Sequence, residues 1–260
     1  MTMRTFRVVA FAVMLLAHAG SVTAGLKIFY IRHAEGGHNV KADWEKRGVP
    51  ESEWPAYVGN SEMFTPKGEA QLPVATEKLK KYKFDLIATS PLWRARHTII
   101  PYLKATGQTA EVWPELKEGT GMTLILSEDL PEVRKTILNK GEAIHIHKKE
   151  REFFSRRHGA SHHYRRYPSG SDDELKTAYM KHITEHAIAR ILEQFGGSDS
   201  SILLAGHNSS GVSLLKLLLG KEPGGAARVG IANVGIWMVE QQADGSFKLL
   251  IYNDEPFVAE

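Results

Sequence analysis

Cysteine is absent from all 260 residues, which excludes disulfide bridges and thiolate-bound metals. Charge of one sign is not in large excess either. The formal net charge is only +3, so the whole-chain balance alone points to no polyanion. No apolar run reaches the length of an ordinary transmembrane helix. The longest, Val8–Ala17, follows Arg4 and Arg7 and precedes Val22-Thr23-Ala24, a small-x-small triplet. That order predicts an export signal over residues 1–24, cut after Ala24, with an uncleaved anchor as the alternative. A periplasmic or secreted protein is expected, and the lack of cysteine sits more easily with a bacterial periplasm. No transmembrane span is expected once the signal is removed. Internal repeats are missing too. With 42% apolar residues, residues 25–260 have enough core for a single domain.

What the chain does have is two buried-strand runs that each end in a histidine. Leu26–Ile31 delivers Arg32, His33, Ala34 and Glu35 into a Gly36-Gly37 turn, with Asn39 just beyond. Ser201–Ala205 ends in Gly206, His207 and Asn208. The C-terminal tips of parallel strands are where open α/β sheets place ligands.

Between these runs, strands and helices alternate. His38–Arg47 reads as a short helix. Thr65-Pro66 starts a second helix running toward Tyr82, with Thr65 as cap and Pro66 in the first turn. Pro73 is expected to kink it or delay its start. Strands follow at Phe84–Ala88 and Ala110–Trp113, flanking a helix over Leu92–Lys104 that Pro101 bends. Asp172–Phe195 and Ser209–Leu219 are helical, and Gly220 caps the latter. Val234–Glu240 and Phe247–Tyr252 form a hairpin about Asp244-Gly245. The expected fold is an α/β three-layer sandwich with a mostly parallel central sheet and an antiparallel edge strand. Residues 119–171 break the rhythm and read as a basic cap insertion rather than a second core.

Arg32-His33-Ala34-Glu35 with Asn39, then Ser90-Pro91-Leu92-Trp93-Arg94-Ala95 with Thr98, then Leu116-Lys117-Glu118, then Gly206-His207, come in a telling order. This order resembles the histidine phosphatase superfamily, in its phosphoglycerate-mutase-like branch. Thr65–Gln71 is also similar to that branch's helix between the first two motifs. The resemblance spans most of the chain outside 119–171. It implies a phosphohistidine intermediate at His33 and Glu118 as the acid that protonates the leaving oxygen and later activates water. Glu115, three residues before it, makes that assignment less secure.

The chemistry agrees. A phosphomonoester dianion needs positive donors on its oxygens. Arg32 and Arg94 offer forked guanidiniums, and a neutral His33 can attack phosphorus. His207, if protonated, is a further donor. Asn39 serves either as a phosphate donor or as a helix cap. The superfamily's usual glycine after the nucleophile is Ala34 here, a change of one methyl group. Asn208 stands where the acid-phosphatase branch carries an aspartate, so the acid must come from elsewhere.

The expected activity is hydrolysis of a small phosphorylated or otherwise anionic substrate, without cofactor or metal. The alternatives are a phosphate-binding relative with little turnover, or a mutase-type phosphotransferase. Residues 134–166 carry ten Lys and Arg against three Glu, either a cap that attracts anions or a solvated loop. Within it, His145-x-His147 and His162-His163 alone do not make a zinc site. No nucleic-acid recognition motif is present. The sequence does not determine the oligomeric state.

Overall fold

A computed structural model describes residues 25–118, 122–124, 142–143, 146–156, 163–166 and 173–258. The expected export signal lies outside these residues, as do His145, His158, His162 and much of the 119–171 segment.

The strand expected first is β1 (Lys27–Arg32). Helix α1 (Gly37–Lys46) follows the nucleophile loop, and α2 (Pro66–Leu79) follows its Thr65 cap. The Thr65 hydroxyl accepts the Gly68 N–H at 3.0 Å. Pro73 is accommodated within α2, and Pro101 within α3. Next come β2 (Leu86–Thr89), α3 (Trp93–Thr106) and β3 (Ala110–Val112). Within 119–171 lie β4 (Met122–Leu124), β5 (Glu142–Ala143), β6 (Phe154–Arg156) and β7 (His163–Arg166). Helix α4 (Asp173–Phe195), strand β8 (Ser201–Gly206) and helix α5 (Asn208–Leu219) follow. The chain then forms β9 (Ile236–Gln241), β10 (Phe247–Tyr252) and β11 (Glu255–Pro256).

The main sheet runs β11-β10-β9-β1-β8-β2-β3-β6. Pairing is parallel from β1 through β8, β2 and β3 to β6. It is antiparallel from β1 through β9 and β10 to β11. The expected antiparallel edge is three strands wide: the expected hairpin, β9 and β10, plus β11. The 119–171 segment is not all insertion: β6 extends the main sheet and buries Phe154. A separate three-stranded antiparallel sheet, β4-β7-β5, forms from the rest of what is described there.

Strand alternation sorts the core into two layers. Phe29, Ile31, Leu203 and Ala205 face Ala75 and Leu79 of α2 and Ile99 and Leu103 of α3. Ile28, Tyr30, Ile202 and Leu204 face Ala187 and Ile191 of α4 and Leu214 and Leu215 of α5. Each such aliphatic side chain contributes about 1.5–3 kcal/mol on full burial. The burial is helical in period on α4, at Ile183, Ala187 and Ile191, as the sequence pattern predicts. Among the described residues, no helix is long and apolar enough to cross a membrane.

The register brings the site together. Arg32 pairs with Gly206 across β1–β8, and Thr89 with Ala205 across β2–β8. Three adjacent parallel strands thus end level, and the residues just beyond their tips share one rim.

Candidate active site

His33 leaves the tip of β1 and is 1% exposed. Its Nδ1 lies 2.6 Å from the carbonyl oxygen of Ala34. A carbonyl only accepts, so Nδ1 carries the hydrogen and Nε2 keeps its lone pair. Arg94 confirms this polarity by donating its Nε–H to His33 Nε2 at 3.3 Å. Burial, with the Arg94 and Arg32 charges adding to it, pushes His33 down to about 3. The imidazole is therefore neutral at physiological pH, as a nucleophile must be.

The loop after His33 is held from two sides. The Ala34 N–H donates to Thr98 Oγ1 at 2.9 Å, and the Glu35 N–H to Gln71 Oε1 at 2.8 Å. Thr65 donates its hydroxyl to Glu35 Oε1, and Lys67 reaches Oε2 at 2.9 Å. Gly68 permits this approach, because a Cβ there would stand 2.1 Å from the Glu35 carbonyl oxygen. The Thr65–Gln71 stretch thus clamps the nucleophile loop. Ala34 itself is fully buried with no polar role for its methyl group.

Arg32 is half-buried and donates from Nη1 to the Ile231 carbonyl at 2.6 Å. Its Nε is buried without a hydrogen-bond partner. Arg94, at the start of α3, also donates from Nη2 to Glu118 Oε2 at 2.6 Å. It therefore spans the nucleophile and the expected acid. His207 is fully buried at the tip of β8, with its ring 5.1 Å from that of His33. Ser90 Oγ lies 2.8 Å from its Nε2. Its Nδ1 lies 3.5 Å from Glu118 Oε2 and makes no hydrogen bond. Burial, then Arg94 and the other imidazoles, hold His207 well below its usual range. It therefore rests neutral at physiological pH. A neutral imidazole still has one N–H to give.

Asn39 acts as a cap: its Oδ1 accepts the Gly36 N–H at 3.0 Å. That engages its oxygen, so any phosphate contact falls to its amide nitrogen. Glu115 is buried and pairs with His186 at 3.2 Å, which places it in the α4 interface and leaves Glu118 as the pocket carboxylate.

Several residues escaped the sequence reading. Tyr30 looks like any core aromatic, stacked on Trp237 at 5.2 Å. Yet its hydroxyl donates to the His207 carbonyl and accepts the His207 N–H at 2.6 Å, fixing that turn. Asn233 donates to the His33 carbonyl at 2.9 Å. The next residue, Val234, has φ 52°, a conformation that costs a β-branched residue about 1–3 kcal/mol. Its N–H bonds the Arg32 carbonyl. Asn208 accepts the Ile231 N–H at 2.7 Å, a structural task that suits its lack of an acid. His38 also turns toward the pocket, its ring 5.4 Å from that of His33.

Among the described residues one group could share a metal ion: donor atoms of His33, His38 and Glu118 lie within 4.8 Å of one another. Arg94 already donates to two of the three, and Arg32 adds a second cation. The pocket's charge suits an anion.

Two guanidiniums, a neutral imidazole and a carboxylate at the tips of parallel strands make a site whose chemistry suits phosphoryl transfer. The family model for the histidine phosphatase superfamily (branch 1) matches residues 28–121. Residues 28–121 therefore resemble that superfamily over the β1 tip, the start of α3 and Glu118. Solved structures share the fold of the chain. The alpha-ribazole phosphatase of Shigella flexneri is 17% identical at a TM-score of 0.52, covering 90% of this chain and 99% of its own. A phosphoserine phosphatase mutant from Entamoeba histolytica is 20% identical at 0.50, covering 88% and 96%. A mycobacterial glucosyl-3-phosphoglycerate phosphatase is 17% identical at 0.50, covering 88% and 99%. No curated protein matches the chain in sequence.

Proposed function

We propose that the protein is a metal-independent phosphomonoesterase that works through a phosphohistidine at His33. The observation that carries this is the polarity of His33, with Nδ1–H tied to a carbonyl and the Nε2 lone pair turned to Arg94.

A substrate dianion displaces Arg94 from Glu118 and His33 and takes up the donors of Arg94 and Arg32. His33 Nε2 forms a bond to phosphorus as the P–O bond to the leaving group breaks. Glu118, freed from Arg94, takes up a proton from solvent and passes it to the leaving oxygen. A water molecule then attacks the phosphohistidine and returns a proton to Glu118, which releases inorganic phosphate. His207 donates to the transferring group throughout, and Ser90 and Tyr30 hold it in place.

His33→Ala should lower hydrolysis of an aryl phosphate by on the order of 10³-fold or more, with an unchanged thermal melt. Normal turnover in that variant would sink the assignment. Wild type should form an acid-labile phosphohistidine that decays within each turnover. A phosphohistidine that persists would point instead to a phosphate-binding relative. Excess chelator should leave the rate unchanged.

Export is proposed on the sequence pattern alone: Arg4, Arg7, the Val8–Ala17 run and the Val22-Thr23-Ala24 site. Protein recovered outside the cytoplasm should begin at Gly25. That setting favours hydrolysis over a mutase cycle, which must keep its phosphohistidine from water.

A further inference from the structure

We propose that His38 is a third imidazole in contact with the substrate, donating to a non-bridging oxygen of the phosphoryl group. The inference rests on the phosphatase reading and adds a residue to it.

Position comes first. A ring nitrogen of His38 lies within 4.8 Å of both a His33 ring nitrogen and a Glu118 carboxylate oxygen. It therefore borders the volume that the phosphoryl group must occupy between nucleophile and acid. Satisfaction comes second. His38 Nδ1 is buried and has no hydrogen-bond partner, a condition that ordinarily costs about 1–3 kcal/mol. Arg32 Nε and His207 Nδ1 share that condition. The three residues come from three separate segments: the tip of β1, the start of α1 and the tip of β8.

The backbone, too, is shaped to admit this ring. A Cβ on Gly36 would stand 2.8 Å from His38 Nδ1 and 2.9 Å from its Cε1. The helix start that carries His38 is fixed on both sides. Gly37 donates its N–H to the Met63 carbonyl and accepts the Gly59 N–H, both at 2.9 Å, and Asn39 caps Gly36. Burial and the Arg94 charge push His38 down to about 4, so it meets the substrate neutral, with one N–H to give. The donor it supplies is short in range, unlike the arginine charges.

The test uses the full-length protein with His38→Ala, His38→Gln and Gly36→Ala. Expected for His38→Ala is a loss in kcat/KM of roughly 10- to 100-fold, the range of one hydrogen bond to a charged group. The loss should be equal for an aryl and an alkyl phosphate. Calorimetric affinity for inorganic phosphate should fall in step, with the thermal melt preserved. His38→Gln should recover part of both, through its amide N–H. Gly36→Ala should reproduce the loss by pushing the ring aside while His38 is still present. Unchanged phosphate affinity in His38→Ala would overturn the contact. A loss that grows with the poorer alkyl leaving group would also overturn it, placing the bond on the bridging oxygen. Phosphate titration needs no turnover, so it decides on His38 even if hydrolysis by the wild type fails.

Discussion

Helix α3 carries two arginine–glutamate pairs two residues apart, and they face opposite duties. Arg94 meets Glu118 at 2.6 Å on the pocket side, and the Glu118 side chain is 27% exposed. Arg96 meets Glu150, whose side chain is only 10% exposed. Glu150 is also gripped by His97 Nε2 at 2.7 Å, and Trp93 stacks on that imidazole at 4.1 Å. The first carboxylate is released to face the leaving oxygen when a dianion claims Arg94. The second has nowhere to go. Glu150 closes the short turn Lys148–Glu150 that leads into β6, so the Arg96 pair fastens the edge of the main sheet to α3. The same two side-chain types thus give an exchangeable pair and a locked one, separated by burial and by a third partner.

The sharpest way to break this comparison is Arg94→Ala. It should lower kcat/KM by on the order of 10²- to 10³-fold, because a charged donor to the transferring group is lost in a dry site. Its melting temperature should move little. Arg96→Ala should do the reverse and destabilise by about 3 kcal/mol in urea unfolding, since Glu150 stays buried without its cation. Its kcat/KM should stay within a few-fold of wild type. Equal activity losses in the two variants would erase the distinction. A smaller effect sharpens it. His33 and His207 are held below the usual imidazole range in the fold, His33 at about 3, so as pH falls below about 6.5 the unfolded chain binds protons that the folded chain refuses. Stability is then full above about pH 6.5 and is lost as pH falls, by at most about 1.4 kcal/mol per imidazole for each pH unit. Thermal melts across that range should show it, and His33→Ala should flatten the slope.

The pocket was legible where backbone and side chain both announce it. The runs Ile28–Ile31 and Ile202–Ala205 are apolar without interruption, as strands buried on both faces must be, and the polar residues that follow them stand out. Arg32, His33, Arg94, Glu118 and His207 could be read from those ends. Tyr30 and Asn233 could not, because their work lies in bonds to main-chain atoms that only tertiary folding brings near. His38 hid as the second residue of a helix, where a histidine draws no notice. On the sheet, β6 escaped because Phe154-Ser155-Arg156 is too short and too polar to show a period. Its place is set by pairing with β3 and by the Arg96–Glu150 pair. The three-strand antiparallel edge was half seen: the hairpin signal was clear, but the two-residue β11 carries none.

The strand that leads into His33 is synthesised long before either of its sheet neighbours, β8 and β9. Tyr30 waits for a partner 177 positions downstream, roughly 9 to 35 s of ribosome time at about 5–20 residues per second. Until then β1 is an apolar ribbon with both edges open, and His207 is missing from the pocket. That interval leaves time for a chaperone to cover the strand.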